Sequence, residues 1–451
     1  MTPERVLVYG LGRSGGAVAR LLRGQGIAVW TYDVRAPQGD DLEALGCHLT
    51  DTPLETPAEL CIAAPGVPYD HPDLQALREQ GLETIGEVEW VYRSVPAEII
   101  GITGTAGKTT TTRLVSHILT GAGLNAPAGG NVDPALSAVA EPGATLVTEL
   151  SSFQLERCPT LKPSIAVLLN LGVDHLDRYK AVTDYHEAKR QLLKNLGPSE
   201  TLVYNRDDPV VDAWAATSRA HLQSFSTESQ PADAYLADDT LMVHGRPLVH
   251  TADLQLSGRH HHANALAAAL VCAAKGLPDE AIRDGLQSFL GVPGRYSLVG
   301  EAAGVRFIED SIATRTLAVQ RALEATPAPI VWLVGGQDKG ADLAPLEMLV
   351  RERVVHCIGF GDAGPRFAQT LSRWTETSII TIPDGDETMT RAVELGSKLL
   401  EHTGGTVLLA PLGASFDQFR DYKERAEAFS RAARQALQEL EPEEATWILS
   451  Y

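Results

Sequence analysis

Paired cysteines are absent from this chain. Its five thiols, Cys47, Cys61, Cys158, Cys272 and Cys357, are odd in number and scattered without CxxC spacing. That pattern excludes a disulfide framework and the common zinc knuckles, and it fits a reducing compartment. An excess of cations is absent too: 38 Lys and Arg stand against 58 Asp and Glu, for a formal charge of −20. A partner gripped through a phosphate backbone, nucleic acid above all, is therefore excluded, and any nucleotide must be held by local loops. No apolar run is long enough to span a bilayer; the most apolar stretch, NALAAALVCAAKG at 264–276, is too short. The opening MTPERVLVYGLG runs into a strand pattern rather than a leader. Internal repeats and low-complexity tracts are lacking as well. The expectation is a cytoplasmic protein, neither inserted in a membrane nor bound to nucleic acid, and a monomer, because no long apolar face is left unaccounted for.

Against these absences stands one dense motif. Residues 101–112 read GITGTAGKTTTT, between a β-branched strand pattern (PAEIIGIT) and a helical one (TTRLVSHILTGAG) that closes at Gly121 or Gly123. Glycines let backbone N–H groups crowd phosphate oxygens, Lys108 neutralises their charge, and the Thr109 hydroxyl is placed to ligate magnesium at the helix N-terminus. The phosphate-binding residues read from this loop are Gly104, Thr105, Ala106, Gly107, Lys108, Thr109 and Thr110. The loop departs from the usual pattern at its first glycine, which is Ile102 here, with Gly104 as the upstream glycine.

A prior of about 150 residues per domain suggests three domains. The spacing predicts an α/β protein with an N-terminal Rossmann-like sheet over 1–95, a central P-loop ATPase-type domain over 96–294 and a C-terminal doubly wound Rossmann-like domain over 295–451. In the first, RVLVYG leads into Gly10, Gly12 and Gly15 as GxGxxG, and Asp33 ends the second strand. The polar stretch 226–250 reads as a peripheral hairpin region, and VPGRYSLVG at 292–300 as the linker into the third domain.

Several further motifs follow in order: ELSSFQLE at 149–156, DHLDRY at 174–179, YHEAK at 185–189, GRY at 294–296, EDSIAT at 309–314, GGQDKG at 335–340 and ASFDQF at 414–419. Together with GTAGKTT they resemble the Mur ligases of peptidoglycan synthesis across all three domains, and SSFQLE with ASFDQF resembles the branch that adds D-glutamate. The resemblance implies an ATP-dependent ligase joining D-glutamate to UDP-N-acetylmuramoyl-L-alanine through an acyl phosphate and a tetrahedral intermediate. It implies two Mg²⁺ ions, with Thr109, Glu149, His175 and a carbamylated Lys189 as ligands and Lys108 on the phosphates. Asn264, Arg295 and Asp310 are implied for ATP, the third domain closing on the central one before phosphoryl transfer. For the uridine nucleotide it implies Leu11, Gly12, Arg13, Ser14, Asp33, Arg35, Pro65 and Gly66, and for the muramoyl-alanine end Asn131, Ser151, Ser152 and Gln154. Thr314, Lys339, Ser415, Phe416 and Tyr422 are implied for D-glutamate.

The chain departs from the family pattern at His261, where an asparagine is usual, at Ile312, where a lysine is common, and at Arg315, where asparagine is frequent. Other readings stay open at this point. A sibling ligase would use another amino acid, and folylpolyglutamate synthetase would lack the N-terminal nucleotide domain. An NAD-dependent oxidoreductase would explain GxGxxG with Asp33 but not the P-loop. A non-catalytic P-loop scaffold would leave Lys189 and Arg295 without a role.

Overall fold

The computed structural model describes residues 2–34, 42–175, 178–228, 232–256, 258–292 and 294–440. The chain forms three separate sheets. The first contains β1 (Arg5–Tyr9), β2 (Ala28–Tyr32), β3 (His48–Leu49), β4 (Leu60–Ala63) and β5 (Glu83–Ile85), with α1 (Arg13–Gly24), α2 (Pro72–Glu79) and α3 (Glu87–Ser94) between and after them. Its order is β3-β2-β1-β4-β5, parallel throughout. Helices cover both faces, so the strands are apolar on both: Val6 and Val8 pack with Val18 and Leu22, while Leu7 and Tyr9 pack with Leu74 and Leu77.

The second sheet contains β6 (Glu98–Thr103), β7 (Ala128–Gly130), β8 (Thr145–Glu149), β9 (Ile165–Leu168), β10 (Thr201–Asn205), β11 (His221–Ser226), β12 (Ala234–Ala237), β13 (Thr240–Val243) and β14 (Arg246–His250). Its helices are α4 (Lys108–Gly121), α5 (Leu136–Val139), α6 (Ser152–Leu155), α7 (Val182–Arg190), α8 (Pro209–Ala215), α9 (Arg259–Ala274) and α10 (Asp279–Ser288). The order is β14-β13-β12-β11-β10-β9-β6-β8-β7. Pairing is parallel from β7 to β12 and antiparallel through β13 and β14. The polar stretch expected as hairpins is these last strands, turned at His244-Gly245, both left-handed.

The third sheet contains β15 (Ser297–Ala302), β16 (Val305–Glu309), β17 (Ile330–Gly335), β18 (Val354–Phe360), β19 (Glu376–Ile380) and β20 (Gly405–Leu412), with α11 (Thr316–Ala325), α12 (Glu347–Arg353), α13 (Gly364–Leu371), α14 (Gly385–Leu400) and α15 (Tyr422–Leu440). Its order is β15-β16-β20-β17-β18-β19, parallel except for β15. The segment expected as a linker thus supplies a strand from Ser297 on, because the Ala303-Gly304 turn lets SLVGEA pair back on β16. Trp332 is fully buried at the centre of one face, with its Nε1 donating to the Ala410 carbonyl at 2.8 Å.

By contact clustering the chain divides into two compact units, Met1–His250 with Ala263–Leu286, and Thr251–His262 with the chain from Gln287 onward. The first two sheets lie in the first unit and the third sheet in the second.

Candidate active site

Strand β6 sits between β9 and β8, and its EIIGIT pattern suits a strand buried on both faces. Beyond Thr103 the chain turns into α4 through Gly104–Gly107. Gly107 is left-handed, and a Cβ on it would lie 2.4 Å from Asn264 Oδ1, so glycine is required twice over. The loop is pinned by Asn170, whose Oδ1 accepts the Ala106 N–H at 2.8 Å and whose Nδ2 donates to the Ala106 carbonyl at 3.0 Å. Thr105 is held as well, its hydroxyl accepting the Gly172 N–H at 2.8 Å and the Tyr185 hydroxyl at 3.3 Å. The N-cap of α4 is Gly107, which has no side chain to cap the first turn.

Two lysines meet on one carbonyl. Lys108 Nζ donates to Gly104 O at 2.9 Å and to Thr105 O at 3.0 Å, while Lys189 Nζ, from α7, donates to Gly104 O at 2.7 Å. Lys189 is 1% exposed. Burial first, and then the Lys108 ammonium, pull its pKa down from 10.5 to about 6, so its amine is neutral at pH 7. Across the loop, Glu149 at the end of β8 accepts the Thr109 hydroxyl on Oε2 at 2.7 Å and the Asn131 amide on Oε1 at 2.6 Å. The Asn131 carbonyl in turn accepts from Arg13, at the start of α1, at 2.7 Å. His175 has φ 55° and packs edge-on against Phe153 and Tyr185, at 4.8 and 5.8 Å.

The donors near Thr109 suit a hard divalent cation, with a hydroxyl and a buried carboxylate already within hydrogen-bond distance of each other. Among the described residues no cluster of three His, Cys, Asp or Glu could cage a metal alone. Such a cation would thus share its shell with phosphate and water, as magnesium does. A neutral buried amine is a poor magnesium ligand but is the form that adds carbon dioxide.

At the first sheet, Leu11–Ser14 follow β1, Asp33 follows β2, and Pro65 with Gly66 follow β4, so strand order gathers them at one carboxyl edge. Asp33 Oδ2 accepts the Leu11 N–H at 2.5 Å, bracing the turn. A Cβ on Gly15 would fall 1.8 Å from Gly10 O, so the turn can close on α1 only with glycine there. Arg35 lies outside the described residues. In α6, Ser151 and Gln154 form a capping box, with the Gln154 Oε1 accepting both the N–H and hydroxyl of Ser151 at 3.0 Å. These side chains therefore shape the helix start, and Ser152 beside them is 1% exposed.

In the second unit, Thr314 follows β16, Ser415 and Phe416 follow β20, and Lys339 follows β17. Three adjacent strands thus bring them to one edge. Ser415 is 3% and Phe416 64% exposed, and Lys339 is exposed. Tyr422 opens α15, its ring 3.2 Å from where a Cβ on Gly294 would sit. Asp310 accepts the Tyr296 N–H at 3.1 Å, and burial, then the neighbouring Glu309, push its carboxyl up to about 8. His261 is 5% exposed, with neither ring nitrogen hydrogen-bonded among the described residues, and its ring lies 5.6 Å from that of Tyr296.

Sequence reasoning passed over Asn170, Arg157, Arg178 and Glu309. Asn170 could have been found as the polar residue just past an apolar strand that neighbours the P-loop strand. Glu309 accepts the Gly294 and Ser311 N–H groups, each at 2.5 Å.

A P-loop on the second of three α/β sheets, with a nucleotide-type turn in the first, defines a nucleotide-binding class of protein, and the chain belongs to the Mur ligase family. The family model for the Mur ligase middle domain matches residues 102–272, and that for the MurD-like N-terminal domain matches 4–86. Among its relatives are the UDP-N-acetylmuramoylalanine–D-glutamate ligases of Thermus thermophilus and Deinococcus radiodurans. The first is 49% identical over 94% of this chain and 96% of its own length. The second is 44% identical over 96% of this chain and 92% of its own length. A MurF ligase of Thermotoga maritima, solved in complex with ADP, shares the fold, with a TM-score of 0.57 at 16% identity over 96% of this chain and 95% of that one.

Proposed function

We propose that the protein is the ATP-dependent ligase that joins D-glutamate to the alanine carboxylate of UDP-N-acetylmuramoyl-L-alanine in peptidoglycan precursor synthesis. The observation that carries this reading is the Gly104–Thr109 loop with Glu149, in a chain 49% identical to a ligase of that name. A carboxylate is a poor electrophile, and phosphorylation by ATP gives it a leaving group. The acyl phosphate is then open to the D-glutamate amine, through a tetrahedral intermediate. Loop amides and Lys108 hold the phosphates while charge shifts toward the leaving oxygen. Thr109, Glu149, His175 and carbamylated Lys189 would hold two Mg²⁺ ions, which supply charge neutralisation at the phosphate oxygens when bound. In the second unit, Arg295 and Asp310 serve ATP, and Thr314, Lys339, Ser415, Phe416 and Tyr422 serve D-glutamate. Residues 1–95, 96–294 and 295–451 are the uridine-nucleotide, ATP and amino-acid domains.

Asp33 favours this reading over a dinucleotide oxidoreductase, because its carboxylate is bonded to the Leu11 N–H and braces the turn. No helix among the described residues is long and apolar enough to cross a membrane; the reading takes the protein as a cytoplasmic monomer acting on small molecules. The test is phosphate release from ATP with magnesium. Release requiring both the muramoyl-alanine nucleotide and D-glutamate, and not L-glutamate, is expected; release indifferent to the amino acid would overturn it.

A further inference from the structure

Two arginines outside the expected site converge on one turn. Arg157 is 1% exposed and donates to the carbonyls of Ala64 at 3.4 Å, Val67 at 2.7 Å and Pro68 at 3.0 Å. Arg178 donates to Pro65 O at 3.0 Å, Gly66 O at 3.5 Å and Val67 O at 2.9 Å, with its guanidinium 4.1 Å over the Phe153 ring. Among the described residues neither makes an ion pair with a carboxylate. Five consecutive carbonyls of the turn after β4 are thus turned toward two guanidinium groups that belong to the second sheet's part of the unit.

The consequence lies on the opposite side of the turn. The Pro65–Gly66 and Pro68–Tyr69 peptides are trans, so their N–H groups point away from the carbonyls the arginines hold. Gly66 is exposed, and its N–H has no acceptor among the described residues. An arginine fork suits this task, since it bonds several carbonyls at once in fixed geometry, whereas a lysine offers a mobile point charge.

We infer that Arg157 and Arg178 are positioning residues for the uridine nucleotide: they fix the Ala64–Pro68 turn so that the Gly66 N–H is a preset donor for the anionic diphosphate, with one buried and one half-buried guanidinium behind it. This rests on the reading that Pro65 and Gly66 border the uridine diphosphate. Arg178 is the residue to test, because it is only half-buried and its loss threatens the fold less than that of Arg157.

The experiment compares full-length wild type, Arg178→Met and Arg178→Lys in steady-state kinetics. It adds calorimetry with UDP-N-acetylmuramoyl-L-alanine in the absence of ATP, and thermal melts. Losing hydrogen bonds from a charged donor raises the nucleotide KM about tenfold or more in Arg178→Met. The KM for ATP and kcat then move less than about threefold, the expected split for a positioning role, and Arg178→Lys recovers part of the loss. If Arg178→Met melts early, the same split measured in Arg178→Lys decides. An unchanged nucleotide KM in a folded variant, or an equal rise in both KM values, overturns the inference and leaves the ligase reading standing. Failure of the wild type itself to take up the nucleotide overturns that reading and the inference with it.

Discussion

Two loops lead from a central parallel strand through glycine into a helix, and the side chains that brace them differ in kind. Behind Gly10–Ser14 are acids: Asp33 on the Leu11 N–H, and buried Glu87, which accepts Ser137 at 2.7 Å and interacts with Ser14 and Arg13. Behind Gly104–Lys108 are bases, two lysines on one carbonyl, with the uncharged Asn170 as brace. Both loops offer backbone N–H groups to an anion. A site that only recognises a phosphate can rely on backbone and a rim cation, while one where phosphate charge redistributes needs cations held ready. The comparison predicts a nucleotide-holding loop in the first sheet and a reacting one in the second.

The sharpest way to break it is Lys108→Ala. Turnover is expected to fall about 10³-fold, while calorimetric affinity for the uridine nucleotide stays within about twofold because that loop is untouched. Parallel loss of both would merge the two loops into one site. Next is Lys189→Ala, expected to lose about 10²-fold in kcat, with formate or acetate restoring part of it if a carbamate carboxylate is what the variant lacks. No rescue with wild-type ATP affinity would leave Lys189 as an amine.

A smaller effect belongs to the first loop. Removing the Asp33 brace by Asp33→Ala frees the Leu11 N–H, and the uridine-nucleotide KM is expected to rise about tenfold with the ATP KM unmoved. The smallest effects are opposite slopes of stability with pH, read from denaturant midpoints in bicarbonate-free buffer. Glu87 is raised by burial, so the native state holds a proton the unfolded chain has lost. Wild type therefore loses stability against Glu87→Gln as pH climbs out of the ordinary carboxylate range. Lys189 is depressed, so between about 6 and 10.5 the unfolded chain holds the extra proton, and wild type gains against Lys189→Met as pH rises. Slopes of the same sign would erase the contrast between acid-backed and base-backed loops.

Much of the fold was legible. Short apolar strands alternating with amphipathic helices give parallel sheets, and GTAGKTT between EIIGIT and a helix gives its loop by local chemistry alone. Strand order was not legible: that β16, β20 and β17 are neighbours, gathering Thr314, Ser415 and Lys339 at one edge, depends on pairings across about a hundred residues. Nor were the arginines, because a guanidinium that bonds backbone carbonyls imposes no sequence on its partner. Ser151 and Gln154 carried a signal with two meanings, since a helix start and a ligand contact both ask for hydroxyl and amide groups. The strand at Ser297–Ala302 was missed because its glycine and flanking turns read as a connection.

The shared carbonyl of Gly104 bears on what happens when the loop fills. Lys108 rests on backbone oxygens, and in the proposed function it leaves them to reach a phosphate. Because Lys189 remains on the same oxygen, that departure strands no acceptor there, and the desolvation penalty of an abandoned polar atom does not arise at Gly104. At Gly104 the loop thus keeps a donor whichever contact Lys108 makes, while the Thr105 carbonyl, its other resting acceptor at 3.0 Å, is the oxygen that must find a new one when nucleotide loads.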